Sequence, residues 1–165
     1  VEEITQYAKL ANKLGTPYIR ILADLEPAPV DEVDDNAIIA FLKEIAPIAE
    51  KNNITFLVET NGVYSDTKRL CDVITAIESD NVAALWDIHH PYVYKNESAE
   101  TTVQNLGAYI KHVHLKDSIV GENGDVTYKM MGEGTLPIKD FIRITVGSKK
   151  QMQSVITEIK NILKG

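Results

Sequence analysis

Val82-Ala83-Ala84-Leu85-Trp86-Asp87 runs five apolar residues and then a carboxylate. It reads as a buried strand with a metal-ligand type of side chain at its end. Two more stretches share the plan. Ile54-Thr55-Phe56-Leu57-Val58 leads into Glu59, and Ile110–Leu115 carries His114 in His112-Val113-His114-Leu115. A shorter β-rich run, Pro17–Leu22, precedes them, and segments of helical character separate the four. Four consecutive βα units imply a parallel α/β sheet with right-handed crossovers. In such a sheet the C-terminal strand ends share one edge, so Glu59, Asp87 and His114 are expected to meet. Two carboxylates and an imidazole make a donor set for a divalent cation.

The connecting segments carry helical spacing. Ile4, Tyr7, Ala8, Leu10, Ala11 and Leu14 form one stripe over residues 2–14, stopped by Gly15. A longer helix spans about Asp35–Asn52, with Pro47 as a point where it can kink. Thr60–Asp66 reads as a loop in which Ser65 or Asp66 caps the helix through Leu70, Val73, Ile74 and Ile77. Pro91 marks another loop, and a short helix over Thr102–Leu106 ends near Gly107. Asn123-Gly124, within Gly121–Asp125, predicts a tight turn at the tip of a small hairpin. Pro137 opens a further helical segment, and Val155, Ile156, Ile159, Ile162 and Leu163 predict a terminal amphipathic helix.

Alternation along the strands gives each a side. Phe56 and Val58 share the face toward the helices, opposite Thr55, Leu57 and Glu59; Val113 and Leu115 oppose His112, His114 and Lys116. One face covered by helices and the other lined by polar groups suits a barrel interior. Trp86 falls on the helix side and reads as core.

Composition bounds the rest. At 165 residues the chain is expected to be one domain, 1–165. Its formal charge of −7 opposes non-specific binding to nucleic acid or an anionic membrane. No apolar run approaches the ~20 residues of a membrane span. Cys71 is the single cysteine, so no intrachain disulfide forms; it reads as a buried structural thiol, and a cytoplasmic setting is expected. Asp31-Glu32-Val33-Asp34-Asp35 lacks calcium-loop spacing and reads as a solvated turn. Gly132-Glu133-Gly134 is too short for a phosphate fingerprint and reads as a turn.

Taken in order, Val58-Glu59-Thr60-Asn61, Leu85-Trp86-Asp87-Ile88-His89-His90, His112-Val113-His114-Leu115-Lys116-Asp117 and Gly132-Glu133-Gly134 resemble the xylose isomerase-like TIM-barrel superfamily. The resemblance covers roughly Pro17–Phe141. That group holds sugar isomerases, ketose 3-epimerases, inosose dehydratases and type-IV apurinic endonucleases (AP endonuclease family 2). It implies that Glu59, Asp87 and His114 are three of four ligands to one divalent ion (manganese, magnesium or zinc). It implies that Glu59 doubles as the catalytic carboxylate and that His90, in Asp87-x-x-His90, contacts substrate. Lys116 is a second candidate for holding a substrate oxygen. The implied function is a metal-dependent sugar isomerase or epimerase acting next to the carbonyl of a ketose or polyol.

Two departures qualify the resemblance. A full barrel has eight strands and typically ~250 residues, whereas this chain opens within a helix, as though about three βα units ahead of it were absent. The family's fourth ligand, a glutamate ending the last strand, has no counterpart after Phe141, and Glu158 is no substitute by position. The expectation is therefore a shortened barrel, impaired as an epimerase. The apurinic-endonuclease alternative is disfavoured, because Val126 and Tyr128 stand where its extra aspartate and histidine ligands belong. A non-catalytic relative that binds a polyol or a partner, or self-associates as a homo-oligomer through open sheet edges, is the third reading.

Overall fold

The computed structural model describes residues 1–30 and 32–145, except the side chains of 143–145. The expected terminal helix, Glu158 and Asp31 lie outside the described residues. The chain falls into two compact units, Val1–Leu115 and Lys116–Gly165.

The first unit is the βα array. Strands β1 (Tyr18–Ile21), β2 (Thr55–Glu59), β3 (Val82–Asp87) and β4 (Ile110–His114) form one sheet in chain order. All three pairings are parallel, with Arg20 opposite Leu57, Glu59 opposite Leu85 and Asp87 opposite His114. A bulge between Ala84 and Leu85 shifts the register before His112 and His114 fall into place.

Helices α1 (Glu2–Leu14), α2 (Asp35–Lys51), α3 (Thr67–Ile77) and α5 (Ala99–Leu106) cover one face. Ala8, Leu42, Ile45, Leu70, Ile74 and Leu106 pack there with Phe56, Val58, Val82 and Ala84 in one core. The opposite face carries a separate small cluster of Leu57, Ala83 and Leu85, with Tyr18 against it. The two-sidedness comes from the period of two along each strand. It also leaves the next residues of that second face, Glu59, Asp87 and His114, projecting beyond an apolar floor.

Local chemistry sets the element ends. Gly15 stops α1 with φ 71°, and the Asp34 and Asp66 side chains accept the N–H groups of Asn36 and Arg69 to cap α2 and α3. Asp66, not Ser65, is therefore the cap of α3. Pro47 lies inside α2, which runs on through it; the residue is on the exposed side, where water can serve the carbonyl it leaves unpaired.

Three sequence expectations need correction. The segment around Pro91 is not a loop but helix α4 (His89–Lys95), and Pro91 is tolerated because it sits in the first turn. The loop after β2 contains a 3-10 helix, Gly62–Ser65. Cys71 is half-buried rather than buried, with its sulfur 3.9 Å from Thr75 Oγ1.

The second unit, by itself, holds an antiparallel hairpin of β5 (Asp117–Val120) and β6 (Val126–Lys129), then α6 (Ile138–Thr145). The expected turn closes the hairpin, with Gly124 at φ 84°. Val126 and Tyr128 lie on β6. The buried Asp117 carboxylate organises the turn between β6 and α6: Oδ2 accepts the N–H groups of Gly132 and Gly134, and Oδ1 those of Ser118 and Leu136. A Cβ at position 134 would stand 2.1 Å from Asp117 Oδ1, which explains the glycine. Burial pushes the Asp117 carboxyl up, but the four N–H donors together outweigh it and hold the group below the usual carboxylate range.

Candidate metal centre

Glu59, Asp87 and His114 come from three adjacent strands, and each offers a ligand atom within 4.8 Å of the other two. His114 Nδ1 is 2.9 Å from Glu59 Oε1 and 3.9 Å from Asp87 Oδ2. The Glu59 and Asp87 side chains are almost wholly buried, while His114 is about one-third exposed. Two carboxylates are thus held at the mouth of the sheet with an imidazole on the open side. Such a set suits a hard or borderline divalent ion. Among the described residues it is the one cluster of this kind.

The surrounding groups fix these side chains. Thr60 is a clasp between β2 and β3: its hydroxyl donates to the Asp87 carbonyl and accepts from the Asp87 N–H. Asp87 Oδ1 accepts the N–H of His89 at the start of α4. That bond orients the carboxylate and leaves Oδ2 as the oxygen facing His114.

His90 is buried in the first turn of α4, with Nδ1 3.1 Å from the Thr60 carbonyl oxygen. A carbonyl only accepts, so Nδ1 carries the proton there. In the neutral ring Nε2 is then an acceptor, and it lies 4.0 Å from Asp87 Oδ2, beside the candidate ligands. The helix that sequence reading treated as a loop is what places this histidine.

Arg20, on β1, was missing from the sequence-based site. Its Nε lies 3.3 Å from Glu59 Oε2. The period of two along Tyr18–Ile21 was the available signal, since it puts Arg20 on the face of Leu57 and Glu59. Lys116 is the first residue of the second unit and is not among the three residues that could share an ion.

The loop after β2 is pinned to the loop after β1. Asn61 Nδ2 donates to the carbonyls of Asp24 and Glu26, and the Val63 N–H donates to Asp24 Oδ2. Gly62 has φ 55°, and a Cβ there would lie 2.0 Å from Asp24 Oδ2. The site edge is therefore built around a glycine in the left-handed region.

A family model for the xylose isomerase-like TIM barrel matches residues 1–156. No curated protein sequence matches the chain. Among solved structures, the xylose isomerase domain protein of Planctomyces limnophilus is similar at 14% identity, with TM-score 0.73, over 99% of this chain and 63% of that one. The IOLI protein with a binding zinc atom is similar at 16% identity and TM-score 0.69, over 92% of this chain and 55% of that one. A D-tagatose 3-epimerase-like protein is similar at 20% identity and TM-score 0.71, over 99% of this chain and 68% of that one. The chain thus spans a little over half to two-thirds of the length of these proteins, and at such identities the likeness is one of fold. With the parallel βα order and the extent of the family match, the conclusion is that this chain belongs to the xylose isomerase-like TIM-barrel family.

Proposed function

We propose that this chain carries the metal-binding portion of a divalent-metal-dependent sugar isomerase or epimerase, acting next to the carbonyl of a ketose or related polyol. The observation that carries the proposal is the convergence of Glu59, Asp87 and His114 within 4.8 Å at the C-terminal strand edge. Further support comes from the zinc bound by the IOLI protein and from the D-tagatose 3-epimerase-like protein among the similar folds.

In this reading Glu59, Asp87 and His114 hold one ion of manganese, magnesium or zinc. When bound, the ion supplies Lewis-acid polarisation of a carbonyl and a neighbouring hydroxyl oxygen. Glu59 would remove the proton from the hydroxyl-bearing carbon next to the carbonyl, the role of a positioned general base. Its near-complete burial keeps competing water away from the carboxylate. His90 contacts a substrate oxygen, its ring fixed by the Thr60 carbonyl. Lys116 is the further candidate for holding a substrate oxygen.

A positioned general base contributes ~10²–10⁴-fold in rate, so loss of the Glu59 carboxylate is expected to abolish the exchange. The test is NMR detection of solvent deuterium entering the C–H next to the carbonyl across a panel of ketoses, with and without added manganese. Metal-dependent exchange that disappears in Glu59→Gln supports the proposal. Exchange that ignores both the metal and the substitution contradicts it.

A further inference from the structure

Arg20 is arranged as more than a counterion. Its side chain is 48% exposed, whereas the Glu59 side chain it pairs with is 3% exposed. Among the described residues the guanidinium has this one ion pair and no hydrogen bond. An arginine offers five N–H donors in a planar fork. The pair with Glu59 has its contact at Nε, and among the described residues no protein acceptor is hydrogen-bonded to the Nη groups. Arg20 also lines a cavity of about 310 Å³ with Tyr18, His112 and His114, over the Leu57 and Leu85 floor.

We propose that this cavity takes an anionic substrate, a carboxylate-bearing sugar or polyol (a sugar acid), whose carboxylate is held by the Nη groups of Arg20. The proposal rests on the metal-dependent function proposed for the site, which places the remaining substrate oxygens near Glu59, Asp87 and His114.

Charge and geometry lead to it together. Glu59 and Asp87 contribute two negative charges and Arg20 one positive; a divalent ion among the ligands brings the sum to one net positive charge. A neutral ketose leaves that charge uncompensated in a partly enclosed site, and a carboxylate neutralises it. Planar carboxylate on planar guanidinium gives two parallel charge-assisted hydrogen bonds, roughly twice as strong as neutral ones. The chain's overall charge of −7 opposes anions at long range, but that field is screened beyond about 10 Å at ordinary salt, so the local arginine decides.

The plainer role, neutralising Glu59, would be met by any cation on β1. Lysine would serve it equally, without a fork open to a cavity. The two roles therefore separate in Arg20→Lys.

The experiment is calorimetric titration of the full chain, with and without saturating manganese, using two matched pairs of probes. These are D-gluconate against D-glucitol, and D-galactonate against galactitol. The expected result is that at least one acid binds tighter than its alditol by about tenfold or more, the scale of one charge-assisted bidentate contact. In Arg20→Lys that preference falls to within about threefold, while manganese still binds at the unsubstituted stoichiometry. In Arg20→Met the preference is lost, and thermal melting verifies that both variants stay folded.

Acids and alditols binding alike, neither pair binding, or a preference that survives in both variants would overturn the proposal. Failure of the metal reading is a different outcome. If manganese does not bind but the Arg20-dependent acid preference persists, the anion subsite stands and the metal assignment falls. If manganese binds and the preference is missing, the anion subsite falls alone.

Discussion

Nδ1 of His114 lies 2.9 Å from Oε1 of Glu59, although the two residues belong to β4 and β2 and the strand carrying Asp87 runs between them. The contact reaches across β3 because all three side chains leave the same face at the same edge. A carboxylate only accepts, so the imidazole N–H donates in this pair. In our reading a divalent ion takes over the function of that proton, bringing Asp87 Oδ2, 3.9 Å from the same nitrogen, into the same contact set.

Gly62 tests how the edge of the site is held. Replacing it with alanine puts a Cβ into the Asp24 carboxylate and a side chain at φ 55°. Backbone strain of this kind costs about 1–3 kcal/mol, before the buried Asp24 is displaced. Gly62→Ala is expected to lower the urea midpoint and to weaken manganese binding, since Asn61 and Glu59 share the segment. A variant matching the unsubstituted protein in both would show that the Asp24 contact does not matter.

The pH dependence of stability has an assignable part. Arg69 donates to both carboxylate oxygens of Asp35 at 2.8–3.1 Å and, with the Tyr64 hydroxyl, holds that carboxyl below its usual range. Because the folded pKa is depressed, the stabilisation is complete above the unfolded value of about 3.9 and is lost as pH falls through the folded one. Both partners are about one-third exposed, so at most about 1 kcal/mol is at stake. Denaturant titrations from pH 7 to pH 3 should show a shallower acid loss in Asp35→Asn than in the unsubstituted chain. Parallel curves would remove Asp35 from the account.

Asp117 gives the second unit its own test. Asp117→Ala deprives the N–H groups of Ser118, Gly132, Gly134 and Leu136 of their acceptor. Each buried donor left unpaired costs about 1–3 kcal/mol, less where water enters. Amide hydrogen exchange at Gly132 and Gly134 should accelerate by at least about tenfold, the equivalent of 1.4 kcal/mol. Unchanged protection would mean that the hairpin and the turn after it hold themselves.

The sheet was largely legible in the sequence, and the reason is periodicity. Val82–Asp87 is a strand as read, and the alternation of Phe56 and Val58 against Leu57 and Glu59 matches the two clusters on opposite faces. Strand ends brought out the convergence of Glu59, Asp87 and His114 because parallel strands share an edge. The features that escaped it were set by local backbone chemistry rather than periodicity. Pro91 looks like a loop marker until it is seen in the first turn of a helix. Arg20 shows in the sequence only as one position in the period of two of a four-residue strand, and its partner Glu59 is 39 residues away.

The measurement that bears most directly on the central claim is metal stoichiometry and affinity for the purified chain, by isothermal titration with manganese and zinc and by native mass spectrometry. The account predicts one divalent ion per chain, with affinity reduced by at least about 100-fold in each of Glu59→Gln, Asp87→Asn and His114→Ala, since even residues supporting a ligand are worth 10–100-fold. Absence of binding, or binding that all three substitutions leave intact, would contradict it.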